Sequence, residues 1–491
     1  MNKPDALTLV IFGASGDLTR RKLMPALYLL YKAGRLPRRF AVLGMARTSY
    51  DDDRFRTSIR EGLLSFVRPD EVDEKAIQAF LSCLHYLSAD PSEPEAYAEL
   101  KTRLEEIDRT IDNPHNYLYY LATPPLLYGV IPRHLKAEGL NREGDGFRRI
   151  VVEKPFGYDL SSALELNRIY LDAFREEQIY RIDHFLGKET VQNILALRFA
   201  NSVFEPLWNR NYIDYVEITA VENMGIGTRG GFYDGVGTLR DMVQNHLAQL
   251  LAVTAMEPPA AFDASGFRNE VVKVYQSLTP LTGEDIRHSV VRGQYMASEG
   301  RKGYREEEQV PALSRTETYL AMRLELNNWR WGGVPFYIRT GKQMPTKVSE
   351  IVIHFKPAPY SLFRCEGGTC PVPNRLVIRI QPNEGIVLRL GMKKPGEGFE
   401  VLPMDMDFSY AELGRLPTED AYARLIEDCI AGDPTLFIRS DAVESGWRFF
   451  DPILKYWQDV PECPLYGYPA GSWALVTISS VSPSCCSSCC T

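Results

Sequence analysis

No apolar run in the 491-residue sequence approaches the ~18 residues that a membrane-spanning helix needs. Positive charge is not in excess either. The formal net charge is -8 at pH 7, which argues against nucleic acid as the main partner, since a phosphate-tracking surface is usually basic. The nine cysteines lack the spacing of a disulfide framework. Cys83, Cys365, Cys370, Cys429 and Cys463 are scattered as reduced thiols are. Cys365 and Cys370 could pair or bind metal, but no second ligand pair flanks them. Cys485, Cys486, Cys489 and Cys490 crowd a Ser-rich end, where a metal or lipid role stays open. So short a low-complexity stretch cannot bury a core, so 473–491 reads as a disordered tail. There is no internal repeat, and Met1–Asp5 leads into a strand-like run without a signal-peptide apolar core. These absences point to a cytoplasmic protein with no membrane, nucleic-acid or metal partner.

What is present is ordinary globular composition, 45% hydrophobic and 24% charged. The length suggests roughly two to four domains. Strand-like runs at Leu7–Phe12, Phe40–Leu43, Tyr117–Ala122 and Ile150–Val152 alternate with helical periodicity at Leu18–Ala33, Glu95–Ile107 and Leu160–Phe174. That rhythm implies parallel β-α-β units, hence an α/β Rossmann-like, doubly wound domain over 1–178. Beyond it come helical patterns at Val191–Phe199 and Asp241–Thr254. Turn-separated strands follow at Tyr215–Val221, Thr318–Leu326, Ile351–Phe355, Leu376–Gln381 and Ile386–Leu390. An α+β domain with a large, mainly antiparallel sheet over 179–472 is the expectation.

The first strand runs into Gly13-Ala14-Ser15-Gly16-Asp17-Leu18. One glycine permits the tight turn, and the second lets backbone approach a pyrophosphate above the helix N-terminus. This is a shortened form of the dinucleotide fingerprint and weak by itself; the strand before and helix after give it context. The second strand ends Gly44-Met45-Ala46-Arg47, with no acid to hold a ribose 2′-hydroxyl. Arg47 either clamps a 2′-phosphate, which a carboxylate would repel, or is a solvated surface arginine.

Three segments carry further chemistry. Glu153-Lys154-Pro155-Phe156-Gly157 follows a parallel strand, where open α/β sheets place ligands, and Lys154 there can reach substrate or nicotinamide. The triplet is shared by another family of sugar oxidoreductases. Arg181-Ile182-Asp183-His184-Phe185-Leu186-Gly187-Lys188-Glu189 gathers a carboxylate and two cations at a helix start, a phosphate receiver with an acid beside it. Asp241-Met242-Val243-Gln244-Asn245-His246 opens an apolar helix and supplies a histidine, the usual proton acceptor near neutral pH. At ~100° per residue, Asp241 and His246 lie about 140° apart, so the base takes its orienting carboxylate from elsewhere, with Asp183 the obvious donor.

With Arg339-Thr340-Gly341-Lys342, these segments occur in the order found in the glucose-6-phosphate dehydrogenase family, which the chain resembles from about Leu9 to Tyr468. The resemblance implies oxidation of glucose 6-phosphate at C1 to 6-phosphogluconolactone, with hydride passing to NADP, or more weakly to NAD. His246 would be the base and Asp183 its orienting partner. His184 and Lys188 would hold the phosphate. Glu222, Asp241, Lys342, Lys347 and Gln381 would surround the sugar phosphate, with Lys154 at both substrate and cofactor. A homodimer or homotetramer is implied as well. The family commonly has tyrosine where this chain has Phe185. A sugar oxidoreductase acting on an unphosphorylated sugar would leave His184, Lys188, Lys342 and Lys347 unexplained. A catalytically dead nucleotide sensor would be expected to lack His246 or Asp183.

Overall fold

The computed structural model describes residues 3–360, 362–365, 368–369, 373–396, 398–413 and 421–473. The side chains of Cys365 and Cys370 and the tail from Ala474 lie outside the described residues. Cys83, Cys429 and Cys463 are free thiols, and no helix among the described residues is long and apolar enough to cross a membrane. The chain divides into two compact units. One comprises Met1–Lys188 with Ala260–Arg268 and Thr418–Glu444, the other Glu189–Pro259, Asn269–Pro417 and Ser445–Thr491.

The first unit is built on six parallel strands: β1 (Ala6–Phe12), β2 (Arg39–Ala46), β3 (Leu84–Ser88), β4 (Tyr117–Leu121), β5 (Arg148–Val152) and β6 (Ile179–Arg181). Their order, β3-β2-β1-β4-β5-β6, is that of a doubly wound nucleotide-binding sheet, with the strand order reversing between β1 and β4. Every residue of β1 and β4 is buried, as expected of strands covered on both faces. Asp51, Asp73 and Asp159 each accept backbone N–H groups at the start of the helices that follow them. Strands β1, β2, β4 and β5 were legible in the sequence; β3, with polar His85 and Ser88 among its five residues, and the three-residue β6 were not. The late segment also escaped it. Helix Ala421–Ala431 packs on helix Met24–Lys32, where Arg35 pairs with Glu427 and Arg149 donates to the carbonyls of Cys429 and Ile430, both at 2.7 Å.

The second unit carries an eleven-stranded mixed sheet. Its strands are β7 (Ile213–Val221), β8 (Val290–Met296), β9 (Tyr319–Glu325), β10 (Pro335–Gly341), β11 (Val348–Phe355), β12 (Arg364–Cys365), β13 (Gly368–Thr369), β14 (Arg375–Gln381), β15 (Gly385–Lys393), β16 (Glu400–Ser409) and β17 (Tyr466–Pro469). Most neighbours are antiparallel, but β10 runs parallel to β7, which brings the two C-terminal ends side by side. Helix Glu189–Phe199 packs on β14 and on helix Ala248–Ala255. The end of that second helix is capped from within the unit. Arg198, fully buried, donates to the carbonyls of Val253, Thr254 and Met256, while the indole N–H groups of Trp208 and Trp331 donate to Thr254 and Ala255. Carbonyls that a helix C-terminus leaves without partners are thereby satisfied in a dry interior.

Candidate active site

In the first unit, the glycine turn lies at the carboxyl end of β1, beside the point where the strand order reverses. Gly13 has φ +82°, and a Cβ there would stand 2.3 Å from the Ala122 carbonyl oxygen, so no other residue fits without moving β4. Its N–H donates to Met45 O at 2.8 Å, and Gly16 N–H closes the turn on Gly13 O at 2.9 Å. Gly44 in β2 keeps the opposite wall low, since a Cβ there would meet Ala14 Cβ at 2.7 Å. The helix that follows begins with a π-wound turn over Thr19–Leu23, where Met24 N–H reaches back to Thr19 O. That winding absorbs Pro25, which has no N–H to give. Arg47 is exposed one residue past β2, and the next residue, Thr48, donates its hydroxyl to Ser15 Oγ at 2.8 Å. Asp17 pairs loosely with Arg21 at 3.5 Å. The turn is closed by backbone hydrogen bonds and opens onto a helix start, an arrangement that suits a dinucleotide pyrophosphate.

The Glu153-Lys154 segment leaves β5 through a cis Lys154–Pro155 peptide. Glu153 accepts the Tyr120 hydroxyl at 2.6 Å, and burial pushes its carboxyl above the ordinary range. Arg181 is structural: at 2% exposure its guanidinium holds Glu176 at 2.7 Å and Asn167 at 3.1 Å. Asp183 is buried and accepts Phe185 N–H at 2.9 Å, which fixes the turn leading to Lys188. The Lys188 ammonium stands 4.0 Å from the centroid of the Phe185 ring, a cation–π contact. The His184 ring lies parallel to Tyr422 at 6.4 Å. Sequence reasoning missed Tyr422, because nothing local marks a residue so far downstream as a neighbour of His184. Gly187 is needed there, since a Cβ would meet Ala421 O at 2.7 Å.

In the second unit, register gathers four of the expected residues at one end of the sheet. Glu222 follows β7, and Lys342 follows its parallel neighbour β10. Lys347 precedes β11, whose Val348 pairs with Val221, and Gln381 ends β14 opposite Ser349. Lys342 is 5% exposed, and its ammonium contacts Glu222 at 2.6 Å and Asp241 at 3.4 Å. Lys347 is exposed, and Gln381 donates to Ser349 Oγ at 3.2 Å.

One expectation is corrected here. The segment Leu239–Leu247 is a π-helix rather than an α-helix, with Ala248 N–H bonded to Val243 O five residues back. In that winding, five residues make a little more than one turn, so Asp241 and His246 lie much closer around the helix axis than the about 140° expected of an α-helix. His246 is 1% exposed, and its N–H donates to the Asn245 side chain at 2.5 Å.

The chain matches two family models, "Glucose-6-phosphate dehydrogenase, NAD binding domain" over 10–193 and "Glucose-6-phosphate dehydrogenase, C-terminal domain" over 195–481. It is 52% identical over 475 residues to a glucose-6-phosphate 1-dehydrogenase of Aggregatibacter actinomycetemcomitans, covering 96% of this chain and 94% of that one. It is 48% identical over 470 residues to one of Treponema pallidum, covering 95% and 91%. Among solved structures, a glucose-6-phosphate dehydrogenase in complex with its substrate glucose 6-phosphate superposes with a TM-score of 0.89 at 34% identity, covering 98% of this chain and 97% of that one. The glucose-6-phosphate 1-dehydrogenase of Mycobacterium avium gives 0.80 at 35% identity, covering 97% and 96%. With both family models matched and identities near one half over almost its whole length, the chain belongs to the glucose-6-phosphate dehydrogenase family.

Proposed function

We propose that the protein oxidises glucose 6-phosphate at C1 to 6-phosphogluconolactone with NADP as hydride acceptor, the first step of the oxidative pentose phosphate pathway. The observation that carries this reading is the joint placement of Glu222, Asp241 and Lys342 at one sheet end, with the buried His246 five residues after Asp241 in the same π-wound segment. His246 accepts the C1 hydroxyl proton, and Asp183 is assigned the part of orienting it and stabilising the imidazolium. His184 and Lys188 hold the phosphate as cations at a helix start. Glu222, Asp241, Lys342, Lys347 and Gln381 fix the sugar phosphate, and Lys154 serves substrate and cofactor. Residues Gly13 to Leu18 hold the dinucleotide, and Arg47 favours its 2′-phosphate, leaving NAD the poorer alternative. When bound, the nicotinamide supplies the hydride acceptor. Membership of this family supports a cytoplasmic enzyme.

Self-association through the second sheet is part of the same reading. Ile386, Leu388, Leu390 and Met392 of β15 pair with Phe408, Met406, Met404 and Leu402 of β16. Because side chains alternate along a strand, these eight share one face. Met392, Met404 and Met406 are more than half exposed. An apolar face of this kind suits a second copy of the same surface. Met406→Glu should lower the particle mass seen by light scattering; an unchanged mass would remove this face from the assembly.

Arg47→Ala should raise the KM for NADP far more than that for NAD, because only NADP loses a charge-assisted contact worth roughly 1.5–3 kcal/mol. Equal effects on both would make Arg47 a surface residue. His246→Asn should retain both binding steps and lose at least ~10² in kcat, the usual worth of a positioned base. Turnover near the parent rate at pH 7.5 would mean that another group takes the proton. Phe185→Leu removes the ring beneath Lys188, a contact worth about 0.5–2 kcal/mol. The KM for glucose 6-phosphate should therefore rise several-fold with kcat unchanged, and activity on free glucose should not move. A fall in kcat alone would place Phe185 elsewhere in the mechanism.

A further inference from the structure

We infer that Glu317, which belongs to none of the recognised motifs, is a positioning residue for the base, its buried side chain setting where the π-wound segment carrying Asp241 and His246 begins. The inference rests on the reading of His246 as that base.

The helix that precedes this segment breaks at Gly237, whose backbone has φ 72° and ψ 169°. Helical winding restarts after it, so Leu239 N–H falls in a first turn where no intrahelical acceptor exists. Glu317 Oε1 accepts that N–H at 2.9 Å. The Glu317 carbonyl accepts both the N–H and the hydroxyl of Thr238, at 3.2 and 2.9 Å. Tyr233 hydroxyl shares a further bond with Thr238 Oγ1 at 2.7 Å. Gly237 is required twice over: by its φ, and because a Cβ there would stand 2.6 Å from Glu317 Oε1. Glu317 is 5% exposed, so its bond to Leu239 is made where water does not compete. Burial pushes its carboxyl upward, while the Leu239 N–H and the charges of Arg292 and Arg240 pull the other way.

A π-helix is rare and a chain left to itself winds as an α-helix, so this winding has to be imposed. Three constraints impose it here. Glu317 fixes the start. Asn245 bridges the interior, donating to Arg240 O at 2.9 Å and accepting His246 N–H at 2.5 Å. Arg198, Trp208 and Trp331 fix the far end of the continuing helix. Releasing the start lets the segment rewind toward α, which turns His246 away from the face of Asp241. A base displaced by about 1 Å can cost on the order of 10² in rate.

The test uses the full chain with Glu317→Ala and Glu317→Gln, each alone and combined with His246→Asn. Initial rates are measured with glucose 6-phosphate and NADP well below the melting temperature. Glu317→Ala should lower kcat about tenfold or more, because the base is displaced, and leave the KM for NADP unchanged. Glu317→Gln keeps an acceptor oxygen for Leu239 and should recover most of that loss. In the His246→Asn background neither change should cost anything further, since residues acting as a unit are not additive. Should the alanine variant not fold, Thr238→Val removes one bond to the same anchor and should show a smaller loss with the same non-additivity. Parent-like kcat in Glu317→Ala, or a loss that adds in full to that of His246→Asn, would overturn the inference and leave the base assignment standing. A His246→Asn enzyme running at the parent rate would overturn the base assignment itself.

Discussion

The buried ammonium of Lys342 is the constraint on which the second unit's chemistry depends. A lysine at 5% exposure has to be neutralised, and it is, by Glu222 from the neighbouring strand end and Asp241 from the π-helix. Removing either carboxylate leaves the ammonium paired with the other, whereas removing the lysine leaves two carboxylates facing each other with no cation between them. The ion triad therefore ties the helix to the sheet end, and the parallel pairing of β7 with β10 makes the triad possible, since an antiparallel partner would carry Lys342 to the opposite edge. His246 sits in the π-wound segment that this tie anchors, five residues after Asp241.

The first unit works on a different principle, steric rather than electrostatic. At the glycine turn after β1 the deciding feature is missing side chain: Gly13 against Ala122 and Gly44 against Ala14 leave room for backbone alone. The turn from Asp183 to Lys188 relies instead on rings set beside its cations, with Lys188 over the Phe185 ring and His184 against Tyr422. That ring contact gives Phe185 a use that needs no hydroxyl.

Much of this was legible in the sequence because it is local. β1 and β4 read as unbroken apolar runs, and the turn after β1 declares itself by its glycines and its flanks. The sheet-end residues were named from resemblance to a family, and register then explains why Glu222, Lys342, Lys347 and Gln381 end up together. What could not be read depends on distant partners or on unusual winding. Tyr422 and Glu317 are separated from the side chains they hold by long stretches of chain, and no periodicity reports such a contact. The π-helix was invisible because its apolar pattern resembles that of an α-helix, and the angle between Asp241 and His246 was wrong for that reason. β6, β12 and β13 are too short to show a pattern, whereas β3, as long as β4, mixes polar His85 and Ser88 with its apolar residues.

The central claim is that these residues oxidise a phosphorylated sugar. The most direct measurement is the initial rate of NADPH formation with purified protein, comparing glucose 6-phosphate with free glucose at matched concentrations. If His184 and Lys188 receive a phosphate and the sheet-end residues fix the sugar, kcat/KM for glucose 6-phosphate should exceed that for glucose by at least about 10²-fold, since a site built for polar groups rejects a ligand that leaves them unpaired. Equal values for the two sugars, or no reduction of NADP with either, would contradict it.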